Sequence, residues 1–230
     1  MSAVDVTGKS GQDEQRLPPL PMRALGKLLS GLVSRAPFLW PVVRGATRRF
    51  WERAAASWDQ RIEPDRPEHL APLAGACDRI GTEPARILEL GTGTGSGARL
   101  LARRYPSAEV IGTDLSDAMV RAARAKVESA LSARLRFAVA DAGALPFEDA
   151  TFDLVAQLNL PTYFDEVARM LSPGGHAIVA SSLGPATPYY TPDRLLRRGF
   201  ERRGLETVAA GAAGGGTFFI ARRPQGESAK

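Results

Sequence analysis

Short apolar runs alternate with segments of helical spacing through most of this chain. The runs are Ile87-Leu88-Glu89-Leu90, Glu109 to Asp114, Leu135 to Ala140, Phe152-Asp153-Leu154-Val155 and His176-Ala177-Ile178-Val179. Between them, apolar positions recur on a helical period at Leu70, Leu73 and Cys77, from Leu100 and Leu101, at Met119, Val120, Ala123 and Val127, and from Tyr163 to Leu171. Ser116 stands where the helix after Asp114 needs an N-cap. Such alternation predicts a parallel sheet with right-handed crossovers and helices on both faces. A helix from Thr191 or Pro192 to about Arg203 is followed by the strands Leu205 to Ala210 and Thr217 to Ala221. Gly211, Gly214, Gly215 and Gly216 between these strands predict a hairpin, and hence an antiparallel last strand.

The first run ends in Glu89-Leu90-Gly91-Thr92-Gly93-Thr94-Gly95-Ser96-Gly97. A strand that stops in a glycine-rich turn and feeds a helix lets the backbone approach a ligand, with the helix's free N–H groups alongside. Gly93, Gly95 and Ala98 fit the dinucleotide spacing, with Asp114 21 residues after Gly93 as a ribose acceptor. Glu89, ahead of the first glycine, also makes the pattern E-x-G-x-G-x-G. A carboxylate at that place suits a ligand end that carries positive charge.

With that acid, the segment resembles the first motif of the class I S-adenosylmethionine (SAM) dependent methyltransferases, and later segments keep the family's order. Asp114-Leu115 closes the second strand, Asp141-Ala142 the third, and Leu171-Ser172-Pro173-Gly174-Gly175 resembles the turn before the fifth. The resemblance spans residues 60–223 and implies a Rossmann-like α/β sheet of seven strands, mostly parallel with an antiparallel last strand. It also implies SAM as cofactor. Glu89, Gly91, Thr92, Gly93 and Gly95 would surround its methionine end, and Asp114 and Leu115 its ribose. Asp141 would accept from the adenine amino group, with the Ala142 N–H facing the ring. Asn159 is either a further contact to the methionine end or a cap for the next helix. The segment Val155 to Pro161 runs almost directly into Tyr163, shorter than in many relatives, in a region that commonly lines the acceptor site. The acceptor and the catalytic residues are therefore unassigned.

Charge concentrates ahead of this domain. The 230 residues carry a net charge of +5, yet Arg23, Lys27, Arg35, Arg44, Arg48, Arg49 and Arg53 oppose only Glu52 between Met22 and Arg53. The remainder is close to neutral, which argues against a general nucleic-acid cleft. Leu25, Leu28, Leu29, Leu32 and Val33, then Val42, Val43, Ala46, Phe50 and Trp51, form apolar stripes interrupted at Pro37 and Pro41. Two readings fit this arm: a lid or dimer-forming helical pair packed on the core, or a helix on a membrane surface. Residues 1–21 read as a disordered tail, 22–56 as the basic arm, 57–223 as the methyltransferase-like domain and 224–230 as a second tail.

Trp58, in Trp58-Asp59-Gln60-Arg61, either closes the cofactor pocket or staples the arm to the sheet. His69 reads as a surface or capping residue, with a general base as the alternative, and His176 fits turn chemistry or catalysis equally. One cysteine, Cys77, and two separated histidines give no metal spacing, so no metal is expected. No run reaches a membrane span, and the chain is expected in the cytoplasm, possible contacts at the membrane surface aside. The reading is a methyltransferase for a small-molecule or lipid-like acceptor. The alternatives are a non-catalytic SAM-fold binding protein and an RNA methyltransferase using the arm.

Overall fold

The computed structural model describes residues 20–226. The expected N-terminal tail thus lies outside the described residues except for Leu20 and Pro21, which already belong to a helix. Of the C-terminal tail, residues 224–226 carry no regular element and 227–230 lie outside.

Two helices lead into the domain, α1 (Leu20–Arg35) and α2 (Trp40–Ile62), joined by a 3-10 turn at Pro37–Leu39. Pro41 does not break the pattern, because it occupies the first turn of α2, where the missing N–H is no loss. After α3 (Pro67–Cys77), strands and helices alternate: β1 (Arg86–Leu90), α4 (Ser96–Arg104), β2 (Glu109–Asp114), α5 (Asp117–Ala125), β3 (Leu135–Val139) and β4 (Phe152–Leu158). Then come α6 (Phe164–Met170), β5 (Leu171–Ser181), α7 (Asp193–Glu201), β6 (Glu206–Ala213) and β7 (Gly216–Arg222).

The strands form one seven-stranded sheet in the order β3-β2-β1-β4-β5-β7-β6. The first five pair in parallel, and β7 is antiparallel to both β5 and β6. The expected sheet is therefore present, with β7 as its antiparallel strand. The hairpin loop is tighter than expected. Gly211 lies within β6, under the Phe218 ring, and only Gly214 and Gly215 turn, both at positive φ. Two consecutive residues with positive φ are what a two-residue hairpin requires.

Successive residues of β1 supply opposite cores, since both faces of the sheet are covered. Ile87 packs with Leu73, Leu101, Val110 and Ile220, whereas Leu88 and Leu90 pack with Val155, Met170, Phe200 and Phe219. A third cluster, Leu29, Val33, Trp40 and Tyr163, joins the arm to the rim of the sheet. The strand order reverses between β1 and β4, which opens a crevice at the carboxyl ends of the strands, where open α/β sheets bind ligands.

The arm is fastened to this crevice. Glu52, its one acid, accepts from the backbone N–H groups of Asp117 at 2.8 Å and Ala118 at 3.1 Å. Ser116 caps the same helix by accepting from the Met119 N–H at 3.2 Å. A carboxylate beside unpaired N–H groups also complements the positive end of the α5 dipole. Further along α2, Asp59 accepts from the Thr94 hydroxyl at 2.6 Å and pairs with Lys126. The helix passes unbroken through position 57, so the expected boundary between arm and domain falls inside one rod. Glu52→Ala should lower stability by about 1–3 kcal/mol. Urea denaturation of the variant against wild type checks this, and Glu52→Gln should lose less.

Candidate functional site

The turn after β1 is built around two acids, Glu89, which is buried, and Asp114, which is half-buried. Glu89 is 2% exposed and lies beneath the glycine turn. The Thr92 hydroxyl donates to it, as does the backbone N–H of Ala98 in the first turn of α4. A Cβ at Gly97 would collide with the Glu89 carboxylate, which explains the glycine there. Asp114, at the end of β2, accepts from the Gly93 N–H and the Ser116 N–H, each at 2.9 Å. Both strands point their carboxyl ends at one loop, and parallel pairing of Leu90 with Thr113 keeps them in step.

Burial pushes Glu89 up to about 7, against the hydrogen bonds from Thr92 and Ala98, and the Asp114 charge adds to the rise. Asp114 is likewise pushed up by burial to about 6, while the Ser116 and Gly93 N–H groups pull the other way. The two acids thus hold protons more tightly than free carboxylates do. A cation placed beside them would favour their ionised forms.

Above the turn lies a cavity of about 90 Å³. Of the expected cofactor residues, Gly91, Gly93, Asp114, Leu115 and Ala142 line it. Gly91, Gly93 and Gly95 all take positive φ, at 64°, 54° and 89°. The Leu160 side chain covers Gly91 and the Phe137 ring covers Gly95, so a Cβ at either would strike an apolar wall.

The remaining expected residues stand off the cavity wall. Glu89 and Thr92 are buried behind the turn. Asp141 is at the rim, where it accepts from the Trp40 indole N–H at 2.8 Å, the Gly143 N–H at 2.8 Å and Arg44 at 3.1 Å. Asn159 has φ of 56° and commits its side chain to Ser182. Its oxygen accepts from the Ser182 N–H at 2.8 Å, and its amide donates to the Ser182 hydroxyl at 2.9 Å. His69 Nε2 lies 3.4 Å from the same amide. His69 is therefore not the surface or capping residue expected. Burial, helped by Arg66, lowers it to about 4 and leaves it neutral near pH 7.

Several cavity residues were not among those expected at the site. Leu29, Trp40, Thr47 and Trp51 come from the arm, and Leu160, Pro161, Tyr163 and Tyr189 from the segments after β4 and β5. The arm thus packs over the crevice as a lid. Trp51 stands edge-on to Trp58, whose indole nitrogen is 3.7 Å from the Cβ position of Gly93. Trp58 consequently borders the glycine turn and braces the arm through Trp51, without lining the cavity itself. His176 lies within β5, opposite Arg222. Among the described residues, no group of three or more His, Cys, Asp or Glu is placed to hold a metal ion.

Comparison with known proteins bears on this arrangement. A family model described as a methyltransferase domain matches residues 87–175. Demethylmenaquinone methyltransferase of Thermus thermophilus is 45% identical over 103 residues, 42% of this chain and 46% of that protein. A malonyl-[acyl-carrier protein] O-methyltransferase of Halorhodospira halophila is 34% identical over 151 residues, 63% of this chain and 50% of that one. The chain spans about half the length of the curated relatives it matches. Among solved structures, a Haemonchus contortus phosphoethanolamine N-methyltransferase 2 in complex with S-adenosyl-L-methionine superposes with a TM-score of 0.62. It is 20% identical, and the match covers 77% of this chain and 60% of that one. That likeness shows a shared fold.

The raised Glu89 sets a pH dependence. Between its unfolded range near 4.5 and its folded value near 7, the folded chain binds more protons than the unfolded one. This contribution is therefore fully favourable below pH 4.5 and is lost as pH rises towards 7. Glu89→Gln keeps the acceptor for Ala98, and the Thr92 hydroxyl can rotate to accept from the new amide. The variant should gain stability relative to wild type on going from pH 5 to pH 7.5, on the order of 1–3 kcal/mol. Urea melts at both pH values measure it; equal pH slopes would show that Glu89 is not proton-linked to folding.

Proposed function

We propose that this chain is a class I methyltransferase that binds S-adenosylmethionine at the glycine turn and transfers its methyl group to a small or lipid-like acceptor. The observation that carries the reading is Asp114. It is a half-buried carboxylate on the cavity wall, fixed by two backbone N–H groups and so aimed before any ligand arrives. Each carboxylate oxygen has a second lone pair, which leaves capacity for two vicinal hydroxyls.

The residues present fit the cofactor. Gly91 and Gly93 give the close backbone approach, and the two acids suit its cationic end. When bound, S-adenosylmethionine supplies a methyl group already activated by a sulfonium. Asp114 would hold the ribose, with Leu115 packed beside it. Glu89 would act on the ammonium through Thr92 and the turn, since its own oxygens face Thr92 and α4. Asp141 and the Ala142 N–H would read the adenine edge. Gly95 shapes the turn, and Asn159 with Ser182 anchors the loop that carries Leu160 over Gly91. The lining of Trp51, Leu160, Tyr163 and Tyr189 excludes water, and burial keeps the Tyr189 phenol protonated. Positioning and desolvation by these walls can supply much of the acceleration, without a dedicated base.

The names of the relatives support a small or lipid-like acceptor. So does the outer surface of the arm, where Leu28, Phe38, Leu39 and Val42 are exposed around the α1–α2 elbow. Lys27, Arg48 and Arg49 are exposed on the same two helices. Apolar tips among cations complement an anionic lipid surface. No helix among the described residues is long and apolar enough to cross a membrane. We read the arm as a peripheral contact through residues 22–53, with a homodimer as the competing use of the same face.

Two measurements test the proposal. Calorimetry should show micromolar binding of SAM and S-adenosylhomocysteine, weakened in Asp114→Ala by about 1–3 kcal/mol. A folded wild type that binds neither ligand would end the cofactor reading. For the arm, Phe38→Ser with Val42→Ser should cut sedimentation with anionic vesicles by about tenfold or more. Unchanged vesicle binding, or a loss of dimer on ultracentrifugation instead, would transfer the apolar elbow to a protein contact.

A further inference from the structure

We infer that Trp40 is a built-in occupant of the adenine subsite, so that the arm and the cofactor's base compete for Asp141. The inference rests on the cofactor reading above and adds to it an intramolecular competitor.

The indole of Trp40 is 8% exposed and packs in one cluster with Tyr163, Leu115, Ala142 and Leu160. The Tyr163 ring meets it edge-on, 5.5 Å between centroids. Its N–H donates to Asp141 Oδ1 at 2.8 Å, the kind of bond an exocyclic amine of a purine makes with a carboxylate. Arg44 takes the other oxygen at 3.1 Å. A Cβ on Gly143 would come within 2.9 Å of the indole, so a glycine is what admits the ring against the Asp141–Ala144 turn. Indole and purine are both flat, fused bicycles, and the same slot between apolar walls accepts either.

Space makes the two exclusive. The cavity between Asp114 and the arm measures about 90 Å³. Pockets that enclose a ligand of this class hold roughly 300–1,000 Å³. A nucleoside gripped at Asp114 therefore needs the volume that Trp40 fills, and Trp40 must leave with the helix that carries it.

The helix has a place to bend. Its later half is pinned by Glu52 on α5 and by Asp59 on Thr94. Its first turn is held on Asp141 by Trp40 and Arg44. Between the two grips lies Gly45, exposed, with nothing within 4 Å of its Cβ position, so no packing contact calls for a glycine there. A glycine inside a helix weakens it by about 1 kcal/mol relative to alanine. Two residues on, the Thr47 hydroxyl donates back to the Val43 carbonyl at 3.1 Å, a bond associated with helix bending. The first turn of α2, with α1, hinges at Gly45 while the remainder stays docked. Cofactor affinity is then reduced by the fraction of molecules in which Trp40 is seated.

Calorimetric titration of S-adenosylhomocysteine into full-length wild type, Trp40→Ala and Arg44→Ala tests this. Trp40→Ala should bind about five- to tenfold more tightly than wild type, and Arg44→Ala should gain less. In a Trp51→Phe/Trp58→Phe protein, Trp40 should become more accessible to acrylamide at saturating S-adenosylhomocysteine. This readout and Arg44→Ala decide the matter should Trp40→Ala fail to fold. Equal or weaker binding by folded variants, or a Trp40 that stays shielded at saturation, would overturn the competition and leave the cofactor reading intact. Absence of binding in wild type and in every variant would instead remove the cofactor reading, and the inference with it.

Discussion

Two carboxylates, Glu89 wholly and Asp114 in part, are taken out of water beneath a single glycine turn, and the site depends on how backbone N–H groups compensate for that. Burying an acid without partners is strongly unfavourable. Here the Ala98 N–H serves Glu89, and the Gly93 and Ser116 N–H groups serve Asp114. These donors exist because β1 and β2 each end where a helix begins, leaving free N–H groups at the same end of the sheet. The parallel register of the two strands brings both acids to one level. The glycines follow from this crowding: Gly97 makes room for Glu89, and Gly93 turns so that its N–H reaches Asp114.

The same logic governs the arm. Its charge is overwhelmingly positive, yet both acids facing the domain from α2 are used as fasteners, Glu52 on the free N–H groups of α5 and Asp59 on Thr94. Of its described cations, Lys27, Arg49 and Arg53 are exposed, Arg48 pairs with Glu52 at 3.6 Å, and Arg44 reaches Asp141. The arm's inward surface carries acids and tryptophans, and its outward one arginines and exposed apolar groups. Trp51 belongs to the first, through Trp58 and Tyr189; Phe38 and Val42 belong to the second.

Much of this was legible without coordinates. The apolar runs locate the strands because a sheet covered on both faces needs continuous apolar segments, and Ile87 and Leu88 indeed serve opposite cores. Ser116 reads correctly as a cap because its role involves only residues three apart. What escaped depends on distance along the chain. Trp40 and Asp141 are 101 residues apart, and nothing in either neighbourhood announces the other. Asn159 looks like a site residue by position, but Ser182 and His69 turn its side chain elsewhere. His69 follows the polar stretch Asp65 to Glu68, and only its approach to Asn159, just beyond β4, shows that it faces inward. At 56/57 composition changes while the helix from Trp40 to Ile62 runs on, so composition and secondary structure divide the chain at different places.

That unbroken helix from Trp40 to Ile62 decides where the chain can be divided. A fragment trimmed to the domain suggested by composition would start inside a rod, lacking Glu52 and therefore the partner of two N–H groups at the head of α5. Its loss would be felt at Asp114, which lies just ahead of that helix. The natural seam is the short 3-10 turn at Pro37–Leu39, where one helix has ended and the next has not begun. A cut at that elbow would leave the fasteners of α2 in place and remove only what α1 brings, Leu29 on the cavity wall and Val33 beside it.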